Sequence, residues 1–87
     1  MLIRILTEDK NRETVVDLCN RVYDGYTLIQ GQGTWKGVHE PTLVIEVAVE
    51  DTPTERATAT MLARRIKVAN EQEAVLIEFL ASTNVFI

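Results

Sequence analysis

One stretch, Gln30-Gly31-Gln32-Gly33-Thr34-Trp35-Lys36-Gly37-Val38-His39-Glu40-Pro41, holds the chain's only tryptophan, its only histidine and three of its four glycines. These residue types set the chemistry open to it. An indole offers a plane on which a base can stack, worth about 1–3 kcal/mol per base. Lys36 and His39 supply positive charge beside that plane, and a glycine such as Gly33 lets backbone amides approach an anion closely. The spacing Gly31-x-Gly33-x-x-x-Gly37 is not a dinucleotide fingerprint, and no Gly-Lys-Ser/Thr phosphate loop is present. Two readings stay open. Trp35 either plugs the end of a core, as tryptophan often does, or faces outward as a stacking plane on a loop carried by a rigid scaffold.

Catalytic and metal sets are missing from the pattern. His39 and Glu40 are adjacent, so in an extended segment they point to opposite sides. One histidine and one cysteine fall in no zinc spacing, and no metal or cofactor is expected. No nucleophile has a base and an orienting partner placed by sequence. The expectation is therefore a protein that is not an enzyme. Arg64-Arg65-x-Lys67 is a second basic cluster, which reads either as a solvated helix face or as a contribution from a neighbouring subunit to the Trp35 site.

The elements that must carry these residues follow from periodicity. Leu2 to Thr7 reads as a strand, and Val15, Leu18, Cys19 and Val22 form the apolar stripe of a helix closed by Gly25 as a left-handed cap. Tyr26 to Gln32 is a second strand, and Thr42 to Glu50 is the clearest third, with Leu43, Ile45, Val47 and Val49 alternating against Val44, Glu46, Ala48 and Glu50. The glycine-rich segment becomes the connection between them. Thr52 or Thr54 starts a second helix whose stripe is Ala59, Leu62, Ile66 and Ala69. Ala74 to Leu80 is a fourth strand, and Val85-Phe86-Ile87 suggests a short last one. The order β-α-β-β-α-β predicts an α+β, ferredoxin-like domain spanning residues 1–87. Two helices would lie on one face of a four-stranded antiparallel sheet of order 4-1-3-2.

Alternation also predicts the sheet's other face. Leu2, Arg4, Leu6, Val44, Glu46, Ala48, Leu76, Glu78 and Leu80 would share it, mostly apolar, with Arg4 set between Glu46 and Glu78. A chain of 87 residues leaves much surface exposed, so such a face implies burial against another copy, a homo-oligomer. The net charge of −4 argues against a nucleic-acid polymer as partner. No apolar run is long enough for a membrane span. A single cysteine and no signal-peptide pattern at the N-terminus point to a cytoplasmic protein.

The quoted residues also resemble a family of small uncharacterised phage and bacterial proteins. The likeness rests on Gly33-Thr34-Trp35-Lys36-Gly37, Glu40, Leu43–Val47 and Gln72-Glu73-Ala74-Val75-Leu76. The topology is similar to that of PII signalling proteins and CutA, trimers whose sheets face inward. In PII the connection between the second and third strands helps bind nucleotides. The family likeness is silent on mechanism, and no PII signature residue maps onto this chain; the residue types of the glycine-rich segment themselves point to a non-catalytic binder of a small anionic or nucleotide-like ligand. Gly33 and Trp35 would hold it, Lys36 and His39 would pair with its charge, and Arg64 and Lys67 would reach in from a second subunit. One version is a phage anti-defence sponge for a host immune signalling nucleotide. The alternative is a protein–protein interaction module inserting the Trp35 hairpin into a partner, and a third class is a small hydrolase or isomerase acting through His39.

Overall fold

The computed structural model describes residues 1–87 and contains β1 (Leu2–Glu8), α1 (Arg12–Asn20), β2 (Thr27–Trp35), β3 (Val38–Ala48), α2 (Pro53–Asn70) and β4 (Leu76–Leu80). The strands form one antiparallel sheet in the order β2-β3-β1-β4, the expected ferredoxin-like arrangement. Ile3 and Ile5 of β1 and Leu43, Ile45 and Val47 of β3 point into the core. There they meet Val15 and Cys19 of α1 and Ala59, Leu62, Ala63 and Ile66 of α2. The period-2 and period-3.6 stripes read from the sequence are the two walls of that core.

The helix ends show where local chemistry stops each element. Thr52 caps α2 by accepting the Glu55 amide on its hydroxyl at 3.1 Å, and Pro53 occupies the first turn, where its missing N–H costs nothing. Glu71 closes α2 in the left-handed region, at φ 53°, and the Gln72 amide donates back to the Lys67 carbonyl. The end of α1 differs from expectation. The helix stops at Asn20, and Gly25 lies beyond a further turn without a positive φ, so it is not a left-handed cap.

The glycine-rich segment is not a loop. β2 runs through it to Trp35, β3 begins at Val38, and only Lys36 and Gly37 form the turn, at φ 51° and 77°. Two consecutive positive φ values are what a two-residue hairpin needs to match strand twist. β1 pairs with β3 only as far as Glu8↔Thr42, so the pairs from Gln32↔Pro41 to Trp35↔Val38 overhang the sheet with no third strand. Nor does Val85-Phe86-Ile87 form a strand. It is exposed and has no strand partner, and β-propensity alone does not supply one.

The face away from the helices has the predicted composition. Ile29, Val44, Leu6 and Leu76 make an apolar row across all four strands, and Leu2, Ala48 and Leu80 make another. Between them Arg4 lies 3.9 Å from Glu46 and 4.0 Å from Glu78, the cross-strand charge cluster expected.

Candidate functional site

β1 ends at Glu8, β4 begins at Leu76, and the overhanging hairpin starts beside both, so three elements meet at one end of the sheet. β3 and the lead-in to β4 are separated by β1, two interstrand spacings or about 9–10 Å. The hairpin curls across that gap. Its tip reaches the α2–β4 connection, where the Trp35 indole N–H donates to Glu73 at 3.1 Å and the Lys36 ammonium sits 3.1 Å from the same carboxylate. Beneath lies a cleft of about 580 Å³, within the usual range for small-molecule sites.

Chemically the cleft is an aromatic roof on an acidic rim. Trp35, 49% exposed, lines it together with Gly33, Thr42, Leu6 and Leu76. Glu8, Glu40, Glu71 and Glu73 bring carboxylates to the same space. Lys10 lies 3.2 Å from Glu8, and Lys36 is engaged by Glu73, so neither ammonium is free. Loss of hydration, and then the hydrogen bond and charge of Glu8 beside it, hold the Glu40 carboxyl above the ordinary range, with Lys10 opposing. Hydrogen bonds from Lys36 and from Trp35 hold Glu73 below it. The charge around the indole is thus the opposite of that expected from Lys36 and His39.

Behind the cleft a buried polar network fixes the connection. Asn70, 1% exposed, donates to the Thr7 hydroxyl at 3.3 Å and to the Gln72 carbonyl at 3.1 Å, and accepts from the Asn11 amide at 3.2 Å. Thr7 also donates to Gln72, whose own amide donates to the Ala74 carbonyl. A buried amide with its bonds satisfied holds neighbouring backbone in one arrangement.

Of the predicted site residues, Gly33 and Trp35 line the cleft and Lys36 borders it. His39 does not: it lies on the hairpin's opposite face, with Nδ1 3.0 Å from the Thr34 hydroxyl. Arg64 and Lys67 are exposed on α2 and line no part of the cleft; Arg64 borders a separate shallow groove beside Leu18, Met61 and Phe79. Glu8, Glu40, Thr42 and Glu73 were not among the residues expected to form the site. The signal available for them was positional, since the end of β1 and the start of β4 must share one end of an antiparallel sheet.

No family model and no curated protein matches the chain. Among solved structures, a phage SAM lyase in complex with S-methyl-5′-thioadenosine is similar in fold. Its TM-score is 0.68 at 15% identity, over 87% of this chain and 76% of that one. This corrects the expectation that the chain is not an enzyme. The expectation rested on the lack of a nucleophile–base set, and the same scaffold carries an enzyme in that phage protein.

Proposed function

We propose that the chain binds a nucleoside-like small molecule carrying positive charge, of the S-adenosyl sulfonium class, in the cleft beneath Trp35. The observation that carries this reading is the pairing of a half-exposed indole with four cleft carboxylates, Glu8, Glu40, Glu71 and Glu73. The indole supplies a stacking plane for the base, and cation and aromatic face attract as well. The phage lyase of similar fold holds S-methyl-5′-thioadenosine, the thioether left when the sulfonium of SAM loses its amino-acid arm. Breaking that bond asks for no protein nucleophile. The departing thioether takes the bonding pair, and the carboxylate of the departing amino-acid arm supplies the pair for the new C–O bond at the same carbon, closing a lactone. Carboxylates favour the charged sulfonium over the neutral thioether, so they retain substrate and let product go; binding stronger in the ground state does not by itself speed chemistry.

Sequestration of a host signalling nucleotide, the version expected from the sequence, needs a cleft that welcomes phosphates. The acidic rim disfavours it. A homo-oligomer remains part of the proposal. Leu6 and Leu76 belong both to the cleft and to the apolar outer face, so a second copy on that face would wall the open side of the cleft.

Titration calorimetry with SAM, S-adenosylhomocysteine and S-methyl-5′-thioadenosine tests the reading, with chromatography of the SAM sample for released thioether. SAM should bind about tenfold or more tighter than the two thioethers, one charge contact being worth roughly that factor. Trp35→Ala should weaken binding by about tenfold to a hundredfold. Absence of heat and of thermal shift with all three would sink the proposal.

A further inference from the structure

The overhanging arm of the hairpin has few attachments. From Gln32↔Pro41 outward its strands meet no third strand, the Asp9 amide donating to the Pro41 carbonyl at 2.9 Å at the root, and a Cβ built on Gly31 meets nothing within 4 Å. The side-chain bonds from the tip to the rest of the molecule all end on Glu73: the indole N–H at 3.1 Å on Oε2, and the Lys36 ammonium at 3.1 Å on Oε2 and 3.4 Å on Oε1. Glu73 is in turn held by a connection that Asn70, Gln72 and Thr7 pin to the core. A two-stranded arm without a third strand or a hydrophobic face of its own is marginally stable. Near its root the arm is held by Glu40 beside Glu8 and by Pro41 on the Asp9 amide, and at its tip by Glu73.

We propose that Glu73 is the positioning residue of the cleft: by accepting the indole N–H and the Lys36 ammonium together, it sets the plane on which the ligand stacks. The proposal rests on the ligand reading above for its effect on affinity, but its structural core does not. Without Glu73 the arm swings about its glycine-bearing root, and Trp35 no longer roofs the cleft. The role differs from that of Glu8 and Glu40, which face the ligand space from β1 and β3, and from that of Glu71, which caps α2. Lys10 is paired with Glu8 and does not reach the tip.

Trp35 is the lone tryptophan, so its indole ¹H–¹⁵N resonance reports the tip directly. In the wild type this resonance should titrate with a midpoint below the ordinary carboxylate range, following Glu73, whereas Glu40 titrates above that range. Glu73→Ala should shift and broaden the resonance and remove the titration. Glu73→Gln keeps an oxygen acceptor for the indole and should restore part of the shift without restoring the pH dependence. SAM affinity should fall about tenfold in Glu73→Ala, since a misplaced stacking plane forfeits most of a contact of that size, and recover partly in Glu73→Gln. An indole resonance in Glu73→Ala that superimposes on the wild type, with the same pH profile, overturns the proposal. So does unchanged SAM affinity. If the wild type binds no SAM, the ligand reading fails, and the indole titration alone decides whether Glu73 holds the tip.

Discussion

Asn70→Ala should be among the most damaging substitutions in the chain, although Asn70 touches no ligand space. The side chain is 1% exposed and makes three hydrogen bonds, to Thr7, Gln72 and Asn11. Net contributions of about 0.5–1.5 kcal/mol per bond give about 1.5–4.5 kcal/mol for the set. The lower part of that range applies if Thr7 and Gln72 keep the bond they share. The Asn11 amide, at an exposed residue, turns to water and adds little. The expected loss is then about 2–3 kcal/mol, which for a domain this small lowers Tm by roughly 8–24 °C. Urea denaturation followed by circular dichroism measures it. The slope with denaturant should stay unchanged, because the surface exposed on unfolding does not alter. A loss under about 1 kcal/mol would refute the reasoning, for it would mean that the network is not closed in solution. Trp35 fluorescence in the folded variant adds a second reading: loosening the connection that bears Glu73 should red-shift emission before unfolding begins.

Other substitutions separate local causes. A Cβ on Gly33 would lie 2.5 Å from the Thr42 hydroxyl oxygen, so Gly33→Ala should cost about 1–3 kcal/mol by overpacking. Adding Thr42→Ala should recover most of it, because the remaining contacts, to Thr42 Cβ at 3.7 Å and the Glu40 carbonyl at 3.9 Å, are ordinary; thermal melts of the two variants check this, with Gly31→Ala as an unstrained control. Lys36→Gly should relieve about 1 kcal/mol of left-handed backbone strain at φ 51°, seen as a higher Tm, while weakening the tip's hold on Glu73. Burial pushes the Cys19 thiol up from 9.0 to about 11. A raised folded-state pKa means the unfolded chain loses its proton first. Stability should therefore be intact below pH 9, fall as pH rises from 9 to 11 by on the order of 2–3 kcal/mol, and lose that component in Cys19→Ala. Tyr23, pushed from 10.0 to about 12, adds a second decline one unit higher.

The sheet was legible because its alternation is strict where both faces are committed. Val44, Glu46 and Ala48 alternate with Leu43, Ile45 and Val47, and the register that follows sets Arg4 against Glu46 and Glu78. The hairpin was read, but the reach of its strands past Gln32 to a two-residue turn was not, for the same reason inverted. Gln30 to Gly33 has glycine where a strand wants bulk, and the pairing partner that overrides this lies in β3. No Asn-Gly or Asp-Gly marked the turn; Lys36 enters the left-handed region without a side chain suited to it. The cleft's charge escaped for a different reason. Glu8, Glu40 and Glu73 are each more than thirty residues apart, and only the topology brings them to the space beneath Trp35. Read along the chain, the indole's neighbours are Lys36 and His39; read in space, they are carboxylates. His39 was lost to strand parity, which turns it to the face opposite Trp35.

Stability explains most of this molecule but not its far end. The core asks for β1, the inner half of β3 and two helices. It does not ask for a two-stranded arm beyond Gly31 that no third strand joins and that carries Gly33, a lysine in left-handed backbone, or carboxylates brought together against their own repulsion. Each of these costs folding free energy locally, and each converges on one cleft. Where several departures from local consistency meet in one place, function is the economical explanation. The acidic character narrows that function. Carboxylates gathered on a scaffold of net charge −4 gain nothing by crowding unless a cation relieves them. Lys10 and Lys36 relieve two, at Glu8 and Glu73. Glu40 is left beside Glu8 with its proton held more tightly than usual. A cation entering beneath Trp35 would displace that proton. Binding of SAM should therefore strengthen as pH rises through the range in which Glu40 ionises, whereas binding of the neutral thioether should not.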